Sequence, residues 1–206
     1  MHSANVMTFQ EVVAFHGHSC PGLAIGYRAA AAGLRELGVD RPKDEELVAV
    51  VENDACGIDA VQVVAGTTLG KGNLIFRDYG KRAYSFINRR TGDAVRVAER
   101  PEFSERKGDP ELTRLRKKMA DKTATAAEML EFSRLSDAYV KELLALPEEE
   151  MFSINRVTIE VPEKARIFRS VRCSICGETL AESRARVREG RIVCIPCSEP
   201  YGRGWG

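Results

Sequence analysis

LVAVVENDACGIDAVQVVAG, residues 47–66, carries two structural signals back to back. LVAVVEND (47–54) is apolar and β-branched and is bounded by polar residues, the pattern of a buried strand. IDAVQVVAG, which follows Cys56 and Gly57, reads as a helix. A strand that feeds a helix fits either strictly alternating βαβ units or an α+β domain, and the neighbouring segments decide between them.

Toward the N-terminus the pattern is helical. Leu23, Tyr27, Ala30, Leu34 and Leu37 recur at helical spacing over Pro21 to Leu37, and Gly38 stands where a left-handed cap belongs. Its small residues Gly26, Ala29, Ala30 and Gly33 predict close approach by another element. A shorter helix is expected at about 8–15, capped by Thr8, with Phe9, Val12, Val13 and Phe15 as its apolar face. Toward the C-terminus, NLIFRDYG (73–80), KRAYSFINRR (81–90) and DAVRVAER (93–100) read as three strands, the last two joined by a turn around Thr91, Gly92 and Asp93. Helical spacing returns from Pro110 to Leu146, through Leu112, Leu115, Met119, Met129, Leu130, Leu135, Tyr139 and Leu143, with a break near Thr123 to Thr125. FSINRVTIEVP (152–162) is one more strand. Helices first, strands in the middle and helices again predict an α+β fold: a mixed helix/sheet core domain over 1–165, with a small appended unit over 166–206.

The composition is that of a globular protein, with 44 % apolar and 30 % charged residues, and 206 residues suffice to bury a full core. No apolar run approaches the ~20 residues of a membrane span, and MHSANVMTFQEVV lacks a basic region followed by an apolar signal core, so the expectation is a cytoplasmic protein without membrane contact. The charge is uneven. Residues 1–162 hold 22 Lys+Arg against 25 Asp+Glu, whereas residues 163–206 hold 9 against 5.

The cysteines divide the same way, and their spacing argues for metal binding or reactive thiols rather than disulfides. RCSICGETLAESRARVREGRIVCIPC has the form C-x2-C, 17 residues, C-x2-C. Cys173, Cys176, Cys194 and Cys197 can surround Zn2+ tetrahedrally, the intervening length suits a β-hairpin turning at Glu189 and Gly190, and Gly177 permits a tight turn that aims amides at sulfur. Such a finger either binds a partner or staples a segment too short to fold alone. Arg184, Arg186 and Arg188 alternate along its presumed strand, which would suit nucleic acid or simply form a solvated edge.

FHGHSCPG, residues 15–22, places two of the three histidines within five residues of a cysteine. Pro21 at the first helical position makes Cys20 the N-cap, where free amides and the helix dipole predict a lowered thiol pKa. In an extended segment His16, His18 and Cys20 project to one side. Cys56 likewise lies between a strand and a helix, and Asp59 and Gln62, one turn apart, face the same region. The plainer reading makes the histidines turn residues and both thiols small buried hydrophobes. GTTLGKG (66–72) is not a phosphate loop, because Ala65 takes the first glycine position and Gly72 the Ser/Thr position.

FHGHSCPGLAIGYR and NDACGIDAVQVVAGTTLGKGNLIFRDYGK together resemble the FmdE family, named for the E subunit of molybdenum or tungsten formylmethanofuran dehydrogenase. The match covers most of residues 7–162, and the paired C-x2-C tail looks like the treble-clef zinc finger that some members carry. The resemblance implies a homodimeric α+β core with a metal-capable pocket. Its residues are His16, His18 and Cys20 from the first motif and Cys56, Asp59 and Gln62 from the second; Thr68, Gly70, Gly72, Asn73, Asp78, Gly80 and Lys81 also match the pattern. Formylmethanofuran oxidation needs a molybdopterin, iron–sulfur centres and a large catalytic subunit, which a chain of this size cannot house.

Two functions follow. One is a core site holding Zn2+ or Fe2+ through His18, Cys20 and Cys56, with His16 as fourth ligand or general base, in an accessory factor or a small metal-dependent enzyme. Its redox variant is a reversible Cys20–Cys56 disulfide. The other is a binding module, whose structural Zn2+ finger and basic flank engage a protein partner or nucleic acid.

Overall fold

The computed structural model describes residues 7–106 and 108–199. The chain divides into two compact units, at Lys164 and Ala165, one residue before the expected boundary. The outermost residues of both expected domains, 1–6 and 200–206, lie outside the described residues.

In the first unit two helices open the chain: α1 (Phe9–His16) and α2 (Pro21–Leu37). Thr8 and Glu11 form a reciprocal capping box on α1, and Gly17 and Gly38 end the two helices in the left-handed region. β1 (Leu47–Val51), α3 (Gly57–Ala65) and β2 (Leu74–Phe76) follow as one βαβ unit, since β1 and β2 pair in parallel and α3 makes the crossover. β3 (Ala83–Asn88), β4 (Ala94–Glu99) and, after the helices α4 (Pro101–Ser104), α5 (Pro110–Ala120), α6 (Ala126–Ala145) and α7 (Glu148–Met151), β5 (Phe152–Val157) join antiparallel. The sheet order is β2-β1-β3-β4-β5.

Strand periodicity sorts the core onto two faces. Ala49, Val51, Phe86, Val95 and Val97 pack with Leu23, Leu34, Val61 and Leu143 of the helices. Val48, Val50, Ile87 and Ala94 point the other way, beneath Ile75, Val157, Ile159 and Val161. Burying each of these larger aliphatic side chains contributes about 1.5–3 kcal/mol relative to leaving it in water, which holds the wholly apolar β1 in the interior of the sheet.

Strand lengths differ from the sequence expectation at several points. The strand expected over 73–80 shrinks to Leu74–Phe76, because Asp78 to Lys81 turn back toward β1, where the Lys81 amide donates to the Glu52 carbonyl. The strand expected over 152–162 stops at Val157; Ile159 and Val161 lie beyond it and pack on the second face. The helical stretch from Pro110 breaks between Ala120 and Ala126, where Thr125 and Glu128 form a second capping box. Not all of its apolar positions are covered: Leu112, Leu115 and Leu143 are buried, while Met119, Met129 and Leu130 are exposed.

The small residues of α2 admit two neighbours. A Cβ on Gly26 would lie 2.3 Å from the Gly57 backbone, and one on Gly33 would lie 2.2 Å from the Phe86 ring. Arg28 donates to the carbonyls of Leu143, Leu144 and Leu146, satisfying the end of α6.

The second unit is two short hairpins, β6 (Ser170–Arg172) with β7 (Thr179–Ala181) and β8 (Arg186–Arg188) with β9 (Arg191–Val193). The β8–β9 turn falls at Glu189 and Gly190, both at positive φ. Arg184 does not extend β8, since it closes a 3-10 turn over Glu182–Arg184. The row of three alternating arginines is therefore broken, and Arg188 is tied to the Cys197 carbonyl and to Glu199.

Candidate metal centre

The contact between Gly26 and Gly57 lets the start of α2 lie against the start of α3. Cys20 caps α2 and Cys56 precedes α3, and a Cβ on Gly22 would be 3.4 Å from the Cys56 Cβ. The two thiols therefore meet, although 36 positions separate them in the sequence. His16, the last residue of α1, completes the group: one donor atom from each of His16, Cys20 and Cys56 lies within 4.8 Å of the others.

Of the two histidines expected here, His18 as ligand and His16 as fourth ligand or general base, the group includes His16 and not His18. α1 remains helical to His16 and Gly17 then takes φ 93°, so residues 16–20 are not one extended segment and their side chains do not alternate to one side. The His18 ring lies tilted against His16, with centroids 4.5 Å apart.

Asp59 and Gln62 support the group from α3. His16 Nδ1 is 2.7 Å from Asp59 Oδ2, and Gln62 Nε2 donates to Asp59 Oδ1 at 3.3 Å. A carboxylate on Nδ1 fixes that nitrogen as the protonated one and leaves Nε2 as the lone-pair donor. Nε2 faces the thiols, 3.9 Å from Cys20 Sγ.

Cys20 departs from the lowered pKa expected of an N-cap thiol. The Leu23 amide donates to its sulfur at 3.4 Å and favours the thiolate, but burial outweighs that effect and the nearby Cys56 sulfur adds to it, so the thiol pKa is raised. Two soft sulfurs and an imidazole with a free Nε2 fit a zinc or iron(II) ion.

The loop residues carried over by resemblance shape the surroundings instead. Buried Asn73 accepts from the Thr68 amide at 2.9 Å and donates to the Leu47 carbonyl at 2.9 Å, clipping the loop to β1. Lys81 offers its carbonyl to Asn53, and Asn53 accepts from the Ala55 amide, which holds the turn leading to Cys56. Gly72 and Gly80 take positive φ within their turns. None of Thr68, Gly70, Gly72, Asn73, Asp78, Gly80 and Lys81 belongs to the His/Cys group among the described residues.

Sequence reasoning missed a cavity of about 490 Å3 in the first unit. Pro21, Gly22, Ala55 and Gly57, the neighbours of both cysteines, form part of its wall, and Arg82, Glu99 and Arg116 line it further on. One signal was available. Glu99 continues the Val95, Val97 alternation of β4, so an acid stands at a core-facing position.

In the second unit the four cysteines place their sulfurs within 4.8 Å of one another, with Cys176 and Cys194 Sγ 3.9 Å apart. The Cys194 amide donates to Cys173 Sγ at 3.3 Å, and Gly177 at φ 78° turns the chain after the first pair. Amides of Cys176 and Cys194 bring the Cys173 thiol down to about 6, whereas the adjacent Cys194 sulfur, burial and the other two sulfurs push Cys197 up to about 12.

A three-donor group in a mixed helix and sheet domain, together with a separate unit carrying a four-cysteine cluster, defines a metal-binding α+β protein. The family model described as "FmdE, Molybdenum formylmethanofuran dehydrogenase operon" matches residues 15–153, and the chain belongs to the FmdE family. Residues 166–201 match the "Prokaryotic dksA/traR C4-type zinc finger", which supports structural zinc at the four cysteines. A crystal structure of an FmdE-like protein from Syntrophus aciditrophicus, named after the E subunit of tungsten formylmethanofuran dehydrogenase, has the same fold, with a TM-score of 0.58 and 23 % identity over 96 % of each chain. A curated protein of Archaeoglobus fulgidus, "Probable S-adenosyl-L-methionine-binding protein", is 34 % identical over 201 residues, 92 % of this chain. The chain spans about half (53 %) of that relative's length. Among the described residues no helix is long and apolar enough to cross a membrane.

Proposed function

We propose that the first unit is a small metal-dependent enzyme whose ion is held by His16 Nε2 and the sulfurs of Cys20 and Cys56, and whose substrate enters the adjoining cavity. The observation that carries this is the Asp59–His16 hydrogen bond of 2.7 Å, which orients the imidazole toward both thiols. A hydrogen-bonded turn or a pair of buried thiols needs no such orientation; a ligand set does. Three protein donors would leave a coordination position for a substrate atom, where zinc or iron(II) supplies Lewis acidity. Asp59 and Gln62 hold His16 in one tautomer, and the walls around Pro21, Gly22, Ala55 and Gly57 bring a bound molecule to the edge of the group.

The family's name describes an operon and by itself carries no formylmethanofuran oxidation over to this chain. The name of the Archaeoglobus relative makes S-adenosyl-L-methionine the first small molecule to offer the cavity. Metal analysis of the full chain tests the reading. Wild-type protein is expected to hold two metal equivalents, and His16→Ala or Cys56→Ser one, because the four-cysteine unit keeps its own. A wild-type content of one, unchanged by either substitution, would remove the core metal. Calorimetric titration of S-adenosyl-L-methionine into metal-loaded protein separates a cofactor role for that molecule, seen as saturable heat, from none.

A further inference from the structure

Glu99 ends β4 with its side chain only 2 % exposed. Its Oε1 is used twice, accepting from Arg82 Nη1 at 2.8 Å and from Ser104 Oγ. Its Oε2 is shut off from water and has no hydrogen-bond partner among the described residues. Buried polar atoms are paired in the great majority of native structures, and an unpaired carboxylate oxygen is among the most costly exceptions, so this one requires a reason.

The reason lies in where Glu99 stands. Glu99, Arg82 and Ser104 all line the cavity beside the cysteines. Arg82 is 64 % exposed and Ser104 also lies at the surface, so both partners of the carboxylate can move aside and let it turn toward a donor in the cavity. The same cavity is lined by Arg116, an exposed guanidinium with no hydrogen bond or ion pair among the described residues. The rings of Phe103 and Tyr139 supply apolar wall. An acid with a buried unpaired oxygen, a solvated cation without a protein partner among the described residues, and aromatic surface share one space of small-molecule size.

We propose that this cavity binds a small zwitterion with an apolar or aromatic body, its ammonium group donating to Glu99 Oε2 and its carboxylate meeting Arg116. This rests on the reading of the cavity as the substrate's site and names the substrate class. Glu99 is its specificity-determining residue, because a molecule without a donor leaves Oε2 buried and unpaired.

Three probes of one shape test it by NMR titration of the full, metal-loaded chain: L-phenylalanine, phenethylamine and 3-phenylpropionate. The two amines are expected to shift resonances of the cavity residues and to bind about 10-fold or more tighter than 3-phenylpropionate, the scale of one charge-assisted hydrogen bond. Glu99→Gln is expected to abolish that preference. Arg116→Ala, at the surface and outside the fold's core, weakens L-phenylalanine and leaves phenethylamine unchanged. Amines that bind no tighter than 3-phenylpropionate, amines indifferent to Glu99→Gln, or three probes that leave the cavity resonances unmoved would each overturn the proposal. Should Glu99→Gln lose the fold, the wild-type ranking of the probes decides. If wild-type protein holds a single metal while its amine binding depends on Glu99, the metal reading fails and this one stands; a retained second metal with amines indifferent to Glu99 overturns this one and leaves the metal reading standing.

Discussion

Asp59 never touches the proposed ion, yet the group depends on it. Without a carboxylate on Nδ1, the His16 ring can exchange tautomers and turn, and the lone pair on Nε2 is no longer held toward Cys20 and Cys56. Asp59→Asn is expected to weaken core metal binding about 10–100-fold while leaving the four-cysteine unit loaded. Competition with a chromophoric chelator reads both affinities in one titration, and equal core affinity in the variant would reduce Asp59 to a surface contact. The sequence announced this constellation well, in that His16, Cys20, Cys56, Asp59 and Gln62 stood out as motif residues. It misplaced His18, because the end of α1 is decided by the left-handed Gly17, and two-fold alternation does not cross a helix terminus. It also misjudged the Cys20 thiol, since burial is a tertiary property that an N-cap position cannot reveal.

At the scale of elements, the site exists because α2 and α3 cross at glycine. Gly26 and Gly57 allow backbone against backbone, and the cysteines at the two helix starts are carried together by that crossing. Gly26→Ala inserts a methyl group 2.3 Å from Gly57, which the helices relieve only by moving apart. The expected cost is roughly 3 kcal/mol, which corresponds to a melting temperature lower by about 6–12 °C for a unit of this size. Calorimetry measures it, and metal analysis of the same variant should show the core equivalent weakened, because separation of the helices separates the sulfurs. Close approach was legible in the small residues of α2, whereas the partner was not, since Gly57 acquires meaning only once β1 and α3 are packed. Strand existence was legible from β-branched alternation. Strand length was not, because Lys81 and Asn53 end the β1–β2 edge through contacts made across 28 residues.

Over the whole chain, the second unit is where metal uptake is expected to depend most plainly on pH. In the zinc-free finger, Cys173 at about 6 is already a thiolate at pH 7.5, while Cys176 is raised and Cys197 sits near 12. Zinc requires thiolates, so uptake at that pH should release a proton each from Cys176 and Cys197 and almost none from Cys173. Affinity accordingly falls as pH falls, and below about pH 6 Cys173 also protonates and opposes binding. Zinc titration followed with a pH indicator measures the release; an uptake that releases no protons would contradict the assignment. The cysteine spacing made this unit legible at once. The cavity was legible only through Glu99, because Arg82, Phe103, Arg116 and Tyr139 come from four separate stretches that nothing but the fold assembles.

The proposed function requires that the first unit gather His16, Cys20 and Cys56 around an ion. Anomalous-scattering maps from crystals of the full chain, collected across the zinc and iron edges, address it directly. Two peaks per chain are expected, one among Cys173, Cys176, Cys194 and Cys197 and one bonded to His16 Nε2 and the sulfurs of Cys20 and Cys56. A single peak at the four cysteines, from protein crystallised with both metals present, would contradict it.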